Sequence, residues 1–240
     1  MPPWVGAVRW GVAALCTLLA LGADWEARAG SIPLGGPPAG GGTAALKVES
    51  FQERKFSTTI AQQHDFSCGS AAVATLLTHT YGVPTPEKDV FDSMFSQGDK
   101  AIIGAEGFSL LDMKQYLARR GLQAEGFRAP LAKLVEVGVP AIVLINVRGY
   151  NHFVVLEGVQ DGRVLLSDPA VGTRTMPVSE FMPRWNGIFF LIRGDVARAQ
   201  RRFNDAKTWA TMPGGPSILA RYVLDFALLA QPASRGNGRF

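Results

Sequence analysis

The chain has 240 residues, of which 47% are apolar and 18% charged, and a formal net charge of +4. That is enough apolar material for one packed domain and too little charge for a wholly disordered chain, while two full domains would not fit beside a targeting segment and a tail. Lys and Arg are scattered, densest at Arg198, Arg201 and Arg202, instead of gathered in the stripe that a nucleic-acid partner requires. There is no G-x-x-x-x-G-K-[ST] loop, no C-x-x-C pair and no H-E-x-x-H helix, so nucleotide, structural zinc and zincin chemistry lack support. No cofactor, metal, nucleotide or nucleic acid is expected.

The first 29 residues read as a signal peptide. Arg9 supplies the positive start, residues 11–23 form an apolar run, and Ala27-Arg28-Ala29 has the small-x-small cleavage pattern. The run is shorter than the ~20 residues a spanning helix needs, although a retained anchor is the alternative. Cys16 would leave with the signal, which makes Cys68 the single thiol of the exported form, with no partner for an intrachain disulfide. Residues 30–50, centred on Gly35-Gly36-Pro37-Pro38-Ala39-Gly40-Gly41-Gly42, read as a flexible linker to a domain over residues 51–195.

Within that domain a helix is expected to start near Cys68, run through Ala71, Ala72, Leu76 and Leu77, and end before Gly82-Val83-Pro84. Ser109 can cap a second helix ending at Arg120, with Leu110, Met113 and Leu117 at helical spacing and Gly121 closing it. From Pro140 the pattern changes to short β-rich runs over residues 141–147, 152–159, 164–167 and 188–192, separated by turns at Gly149-Tyr150-Asn151, Asp161-Gly162 and Val171-Gly172. Asp161-Gly162 is the strongest hairpin signal, because both residues tolerate positive φ. Helices followed by strands imply an α+β domain with an antiparallel sheet. Residues 196–240 read as an extension in which residues 216–230 could form one amphipathic helix, for packing, a membrane surface or a partner.

Cys68 follows a polar approach segment and opens an alanine-rich helix, where backbone N–H groups and the helix dipole favour a thiolate. A thiolate nucleophile needs a base, and the chain offers His64, His79 and His152. His64 sits in the approach loop, and His79 lies three helical turns on, about 16 Å away. His152 instead begins a strand, where a side chain can be held rigidly at a sheet rim. The hairpin about Asp161-Gly162 can return Asp168 beside His152, giving a Cys-His-Asp arrangement in which the carboxylate orients the imidazole. Gln62, on the approach loop, can donate to the oxygen of a tetrahedral intermediate together with the Cys68 backbone N–H, and Gln63 is a possible substitute.

From Gln62 to Ile192 the sequence resembles the bacteriocin-processing double-glycine peptidases, family thirty-nine of the papain-like cysteine peptidases. The resemblance rests on Gln62 with Cys68-Gly69-Ser70-Ala71-Ala72, on Gly107-Phe108-Ser109-Leu110-Leu111-Asp112-Met113, on Asn151-His152-Phe153-Val154-Val155-Leu156, and on Ser167-Asp168-Pro169-Ala170-Val171-Gly172. The segment Phe181-Met182-Pro183-Arg184-Trp185-Asn186-Gly187 also looks like the family's closing F-x-x-x-W-x-G. It implies a papain-like fold, with Cys68 as nucleophile, His152 as base, Asp168 as orienting acid and Gln62 as oxyanion donor. Ser67 stands where family members typically carry Asp, and the chain lacks the transporter helices and nucleotide site that many members carry. It therefore looks like the stand-alone exported members, such as the periplasmic peptidase of functional-amyloid secretion.

These readings converge on a cysteine peptidase that makes a maturation cut in an exported polypeptide; a cut after Gly-Gly is what the resemblance alone implies. The expected location is the periplasm, and separate secretion machinery is the expected partner. The rivals are a cell-wall amidase using the same residues and a non-catalytic module that binds leaders or assists assembly.

Overall fold

A computed structural model of the protein describes residues 30–34, 44–48 and 50–212. It divides into two units after Val48. In the first, β1 (Gly30–Leu34) pairs antiparallel with β2 (Ala44–Val48). Both strands fall in the stretch expected to be linker. Its Gly/Pro run lies between them, outside the described residues, and its composition dominated the reading of the short segments on either side. The expected signal segment and the expected helix over residues 216–230 also lie outside the described residues.

The second unit runs α1 (Phe51–Lys55), α2 (Cys68–Thr75) continued by a π-helical turn (Leu76–Thr80), α3 (Glu87–Gln97), α4 (Lys100–Glu106), α5 (Leu110–Arg119), β3 (Gln123–Arg128), α6 (Leu131–Val137), β4 (Ala141–Val147), β5 (Tyr150–Gln160), β6 (Arg163–Asp168), β7 (Gly172–Pro177), α7 (Val178–Phe181), β8 (Trp185–Arg193), α8 (Val196–Arg202) and α9 (Ala206–Ala210). Strands β3 to β8 form one antiparallel sheet in the order β3-β8-β4-β5-β6-β7. The class is α+β, as expected. Its strands and helices nevertheless interleave: β3 precedes α6, and β8 returns to lie between β3 and β4.

Local chemistry accounts for the elements that position the site. The α5 helix opens on a capping box, in which Asp112 N–H donates to Ser109 Oγ and Ser109 N–H donates to an Asp112 carboxylate oxygen. Asp161 (φ 50°) and Gly162 (φ 70°) form the tight turn that joins β5 to β6. The preceding hairpin turns one residue earlier than expected, at Arg148 (φ 54°) and Gly149 (φ 90°), so Tyr150 is already a strand residue and His152 is the third of β5. Gly69 lets α5 approach α2, since a Cβ there would stand 2.8 Å from Met113 Cε.

The sheet is buried on both faces. On one, Ala72, Val73, Leu76 and Leu77 from α2 and its π-turn pack with Val90, Met113, Leu117, Ile142, Phe153 and Val155. On the other, Leu131, Leu134, Phe181 and Ala199 cover Val143, Val154, Leu156, Val164 and Leu166. Burying both faces makes β4 a continuous apolar run instead of an alternating one. The unit also continues past the boundary expected at residue 195. Ala199 is fully buried, Gln200 Nε2 donates to the Val137 carbonyl, and Asn204 Nδ2 donates to the Val159 carbonyl. Two of these attachments are polar side chains bonded to backbone, which carry no hydrophobic periodicity for a sequence reading to find.

A bulge in β5 falls between Leu156 and Gly158, which pair with the consecutive residues Leu166 and Leu165. The extra residue, Glu157, is buried and accepts a hydrogen bond from Ser167 Oγ at 2.8 Å. Burial pushes its carboxyl up to about 7, against the lowering effect of Ser167 and Arg202. A raised carboxyl binds its proton more tightly in the folded chain, so stability should fall as pH rises from about 4.5 to about 7. Thermal melts of Glu157→Gln should be flatter than wild type across that window; an unchanged slope would place the titration elsewhere.

Candidate active site

Cys68 is the first residue of α2, all of whose residues are buried, and is itself 4% exposed. Ser67 precedes the helix without capping it, because its hydroxyl is engaged with the His64 backbone instead. The first-turn N–H groups of α2 therefore lack the side-chain acceptor that usually takes one of them. An uncapped helix start beside a buried sulfur is a place where backbone donors remain available to an oxygen bound at that sulfur.

His152, on β5, interacts with Cys68, and that interaction helps to raise the imidazole pKa. The imidazole Nε2 lies 2.7 Å from Asp168 Oδ1 at the end of β6. The β5–β6 register explains the approach: Val155 pairs with Ser167, so the end of β6 runs alongside the start of β5. Burial alone would lower the His152 pKa; hydrogen bonds to Asp168 and Cys68, together with their charges, overcome this and raise it to about 9. Burial likewise opposes ionisation of Asp168, yet His152 and Arg174 hold its carboxyl below the ordinary carboxylate range.

Asp168 is anchored from three further directions. Arg174 on β7 directs Nε and Nη2 to Asp168 Oδ2 at 3.0 and 2.9 Å. The Ala170 N–H donates to Oδ1 at 3.0 Å. The approach loop is tied to the same turn through the Gln62 N–H, which donates to the Pro169 carbonyl at 3.0 Å. Arg174 was missed by sequence reasoning; its one signal is its position on a strand returning from the Asp168 turn.

The structure thus brings Cys68, His152 and Asp168 together. Gln62 is near them through its backbone, while its side chain bonds its own loop: Nε2 donates to the His64 carbonyl at 3.0 Å and to the Asp65 carbonyl at 3.4 Å. Its Oε1 is buried without a hydrogen-bond partner. Gln63 is exposed. The other histidines stand apart. His64 lies 4.8 Å, centroid to centroid, from Phe91, and His79, in the π-turn, has its pKa lowered by burial and by Arg202. Among the described residues no cluster of three or more His, Cys, Asp or Glu side chains could hold a metal ion, and no helix is long and apolar enough to cross a membrane.

A groove of about 570 Å³ opens beside Cys68. Its walls are Ile102, Ile103, Phe108, Leu110 and Leu111 from the α4–α5 region, and Leu144, Asn151 and Phe153 from the sheet. Ile102 and Leu111 are 55% and 61% exposed, so the groove presents apolar side chains to solvent.

Residues 57–196 match the model of the peptidase C39 family. The chain belongs to that family. This C39 chain is a peptidase by that membership, and it is similar to proteins bearing the same name in two pseudomonads. It is 44% identical over 155 residues to "Probable functional amyloid protease FapD" of Pseudomonas aeruginosa, covering 65% of this chain and 69% of that one. It is 39% identical over 184 residues to the Pseudomonas fluorescens protein so named, covering 76% and 80%. Among solved structures, the peptidase domain of the Streptococcus quorum-sensing transporter ComA matches with a TM-score of 0.49 and 19% identity, covering 56% of this chain and 96% of that one.

The hydrogen bonds at His152 give a measurable titration. The imidazole should keep its proton through neutral pH and lose it near pH 9. In Asp168→Asn, which removes a charge and a strong acceptor, the midpoint should move to lower pH. NMR titration of labelled histidine measures it, and a midpoint unmoved by the substitution would exclude Asp168 as its cause.

Proposed function

We propose that the protein is an exported cysteine peptidase that cleaves an exported polypeptide as a maturation cut. The observation that carries this reading is buried His152 held at 2.7 Å by Asp168 and interacting with Cys68. The Cys68 sulfur attacks the scissile carbonyl, and protonated His152 gives its proton to the leaving amine. Water, deprotonated by His152, then releases the acyl group from Cys68. Asp168, steadied by Arg174, holds the ring orientation and supports its cation. Gln62 and the Cys68 backbone N–H stabilise the oxyanion.

The groove favours an extended polypeptide over a small amide, because its apolar wall runs from Cys68 along α4 and α5. The pseudomonad relatives are named functional amyloid proteases, which supports a subunit of a functional amyloid as the substrate class; the proposed location is the periplasm and the proposed partner is separate secretion machinery. The cut is proposed to follow two small residues, typically Gly-Gly. A backbone without Cβ atoms can bring its carbonyl against Cys68 and Gln62, where a bulkier side chain would hold it off.

Cys68→Ala should abolish cleavage of an exported substrate while leaving the melting transition in place, since the truncated group is small. Retained cleavage would remove Cys68 from the chemistry. Asp168→Asn should lower kcat by about 10²-fold or more with KM within a few-fold, because the carboxylate acts on the imidazole and not on the substrate. A loss confined to KM would make it a substrate contact. Substrates with Gly-Gly intact should exceed their Val-Val variants in kcat/KM; equal cleavage would end the double-glycine reading and leave the peptidase reading standing.

A further inference from the structure

Tyr150 is a large, half-exposed aromatic residue two positions before His152 on β5, and none of the roles above uses it. Its ring lies 6.3 Å, centroid to centroid, from the His152 ring. Its hydroxyl donates to the Asp65 backbone carbonyl at 2.6 Å, joining β5 to the approach loop across 85 residues of chain. Burial, followed by the charges of Cys68 and Asp65, raises the Tyr150 pKa, so the phenol remains a donor.

The Asp65 carbonyl is the acceptor that Gln62 Nε2 also approaches, at 3.4 Å. The two contacts are unequal. A 2.6 Å O–H···O bond is short and strong, whereas 3.4 Å is at the limit of an N–H···O bond. Gln62 Nε2 has two hydrogens, of which one is well placed on the His64 carbonyl at 3.0 Å. Reversing the amide would set Oε1 against both carbonyls, so the orientation is held even though Oε1 is buried without a partner. The second N–H is therefore directed and weakly engaged.

We propose that Tyr150 is a positioning residue for the oxyanion site: by holding the Asp65 carbonyl, it keeps the approach loop against β5 and leaves the second N–H of Gln62 to the reacting carbonyl oxygen. Without the phenol hydroxyl, Gln62 moves onto Asp65 as its acceptor, and the loop loses its direct tie to the strand that carries His152. The inference rests on the peptidase reading and adds to it a residue that acts through Gln62, not through Cys68 or His152.

The test is a double-mutant cycle between Tyr150→Phe and Gln62→Ala, using the substrate cleaved best in the Gly-Gly and Val-Val comparison. Iodoacetamide alkylation of Cys68 provides the second readout, because it needs the thiolate and no oxyanion donor. Tyr150→Phe should lower kcat about tenfold, a fraction of the roughly 10²- to 10³-fold attached to losing an oxyanion donor outright, with KM within about twofold. The alkylation rate should stay at the wild-type value. In the Gln62→Ala background the same substitution should lower kcat by less than about twofold, since coupled residues are non-additive.

Wild-type kcat in Tyr150→Phe would overturn the proposal, as would an equal fall in both backgrounds or an alkylation rate that falls with kcat. Wild-type kcat in Gln62→Ala would overturn it as well. Each of those results leaves the peptidase reading intact so long as Cys68→Ala is inactive, whereas an active Cys68→Ala would be the failure of that reading itself.

Discussion

Everything at this site depends on His152 being held by Asp168 and interacting with Cys68 while almost completely buried. A lone imidazolium in such a place would shed its proton, because desolvation penalises the charged form. Here Asp168 accepts from Nε2 and Cys68 adds its own interaction, so that together they outweigh the desolvation that opposes the cation. The same logic makes the arrangement brittle. Breaking a buried pair by removing one member leaves an uncompensated charge and typically costs about 3–5 kcal/mol. The Arg174 guanidinium and the Ala170 N–H therefore matter to Asp168 even though neither touches Cys68.

The fold meets this demand by joining two parts of the chain that supply different things. The approach loop and α2 bring the sulfur and the backbone donors of a helix start. The hairpins of β5, β6 and β7 bring His152, Asp168 and Arg174. Hydrogen bonds connect the parts away from Cys68 and His152, among them the Gln62 N–H to the Pro169 carbonyl and the Tyr150 hydroxyl to the Asp65 carbonyl. Helix α2 is packed on the sheet through residues such as Val73, Leu76 and Leu77, so its first residue is carried by the core and not by a mobile loop.

Where sequence and structure agree, the signal was local. Ser109 with Asp112 writes a helix start, Asp161-Gly162 writes a tight turn, and the β4 run of Ala141 to Val147 has the apolar density of a strand buried on both faces. Where sequence reading failed, the element is held by contacts remote in sequence. Strand β7 is Gly-Thr-Arg-Thr-Met-Pro, too polar to announce itself; buried Thr173 is held by hydroxyl contacts with Thr58 and Thr59, and half-buried Arg174 by Asp168. Helix α3 buries mainly Val90 and Met94, a stripe too narrow to distinguish from a loop. The candidate residues Cys68, His152, Asp168 and Gln62 were legible because each sits at a start, an end or a turn. Arg174 and Tyr150 were not, because their partners cannot be read from spacing.

Ser67 shows how a departure from the family's usual Asp can be compatible with the same geometry. Its hydroxyl is turned back onto the His64 backbone, accepting from the N–H at 3.1 Å, so it stabilises the loop instead of capping α2. An Asp side chain at this helix start could accept from first-turn N–H groups and would bring a negative charge beside the sulfur. With Ser67 the loop closes on itself and the helix start keeps its donors. The chain thus places its fixed negative charge at Asp168, where it supports the imidazolium without competing for the backbone N–H groups that an oxyanion at Cys68 would use.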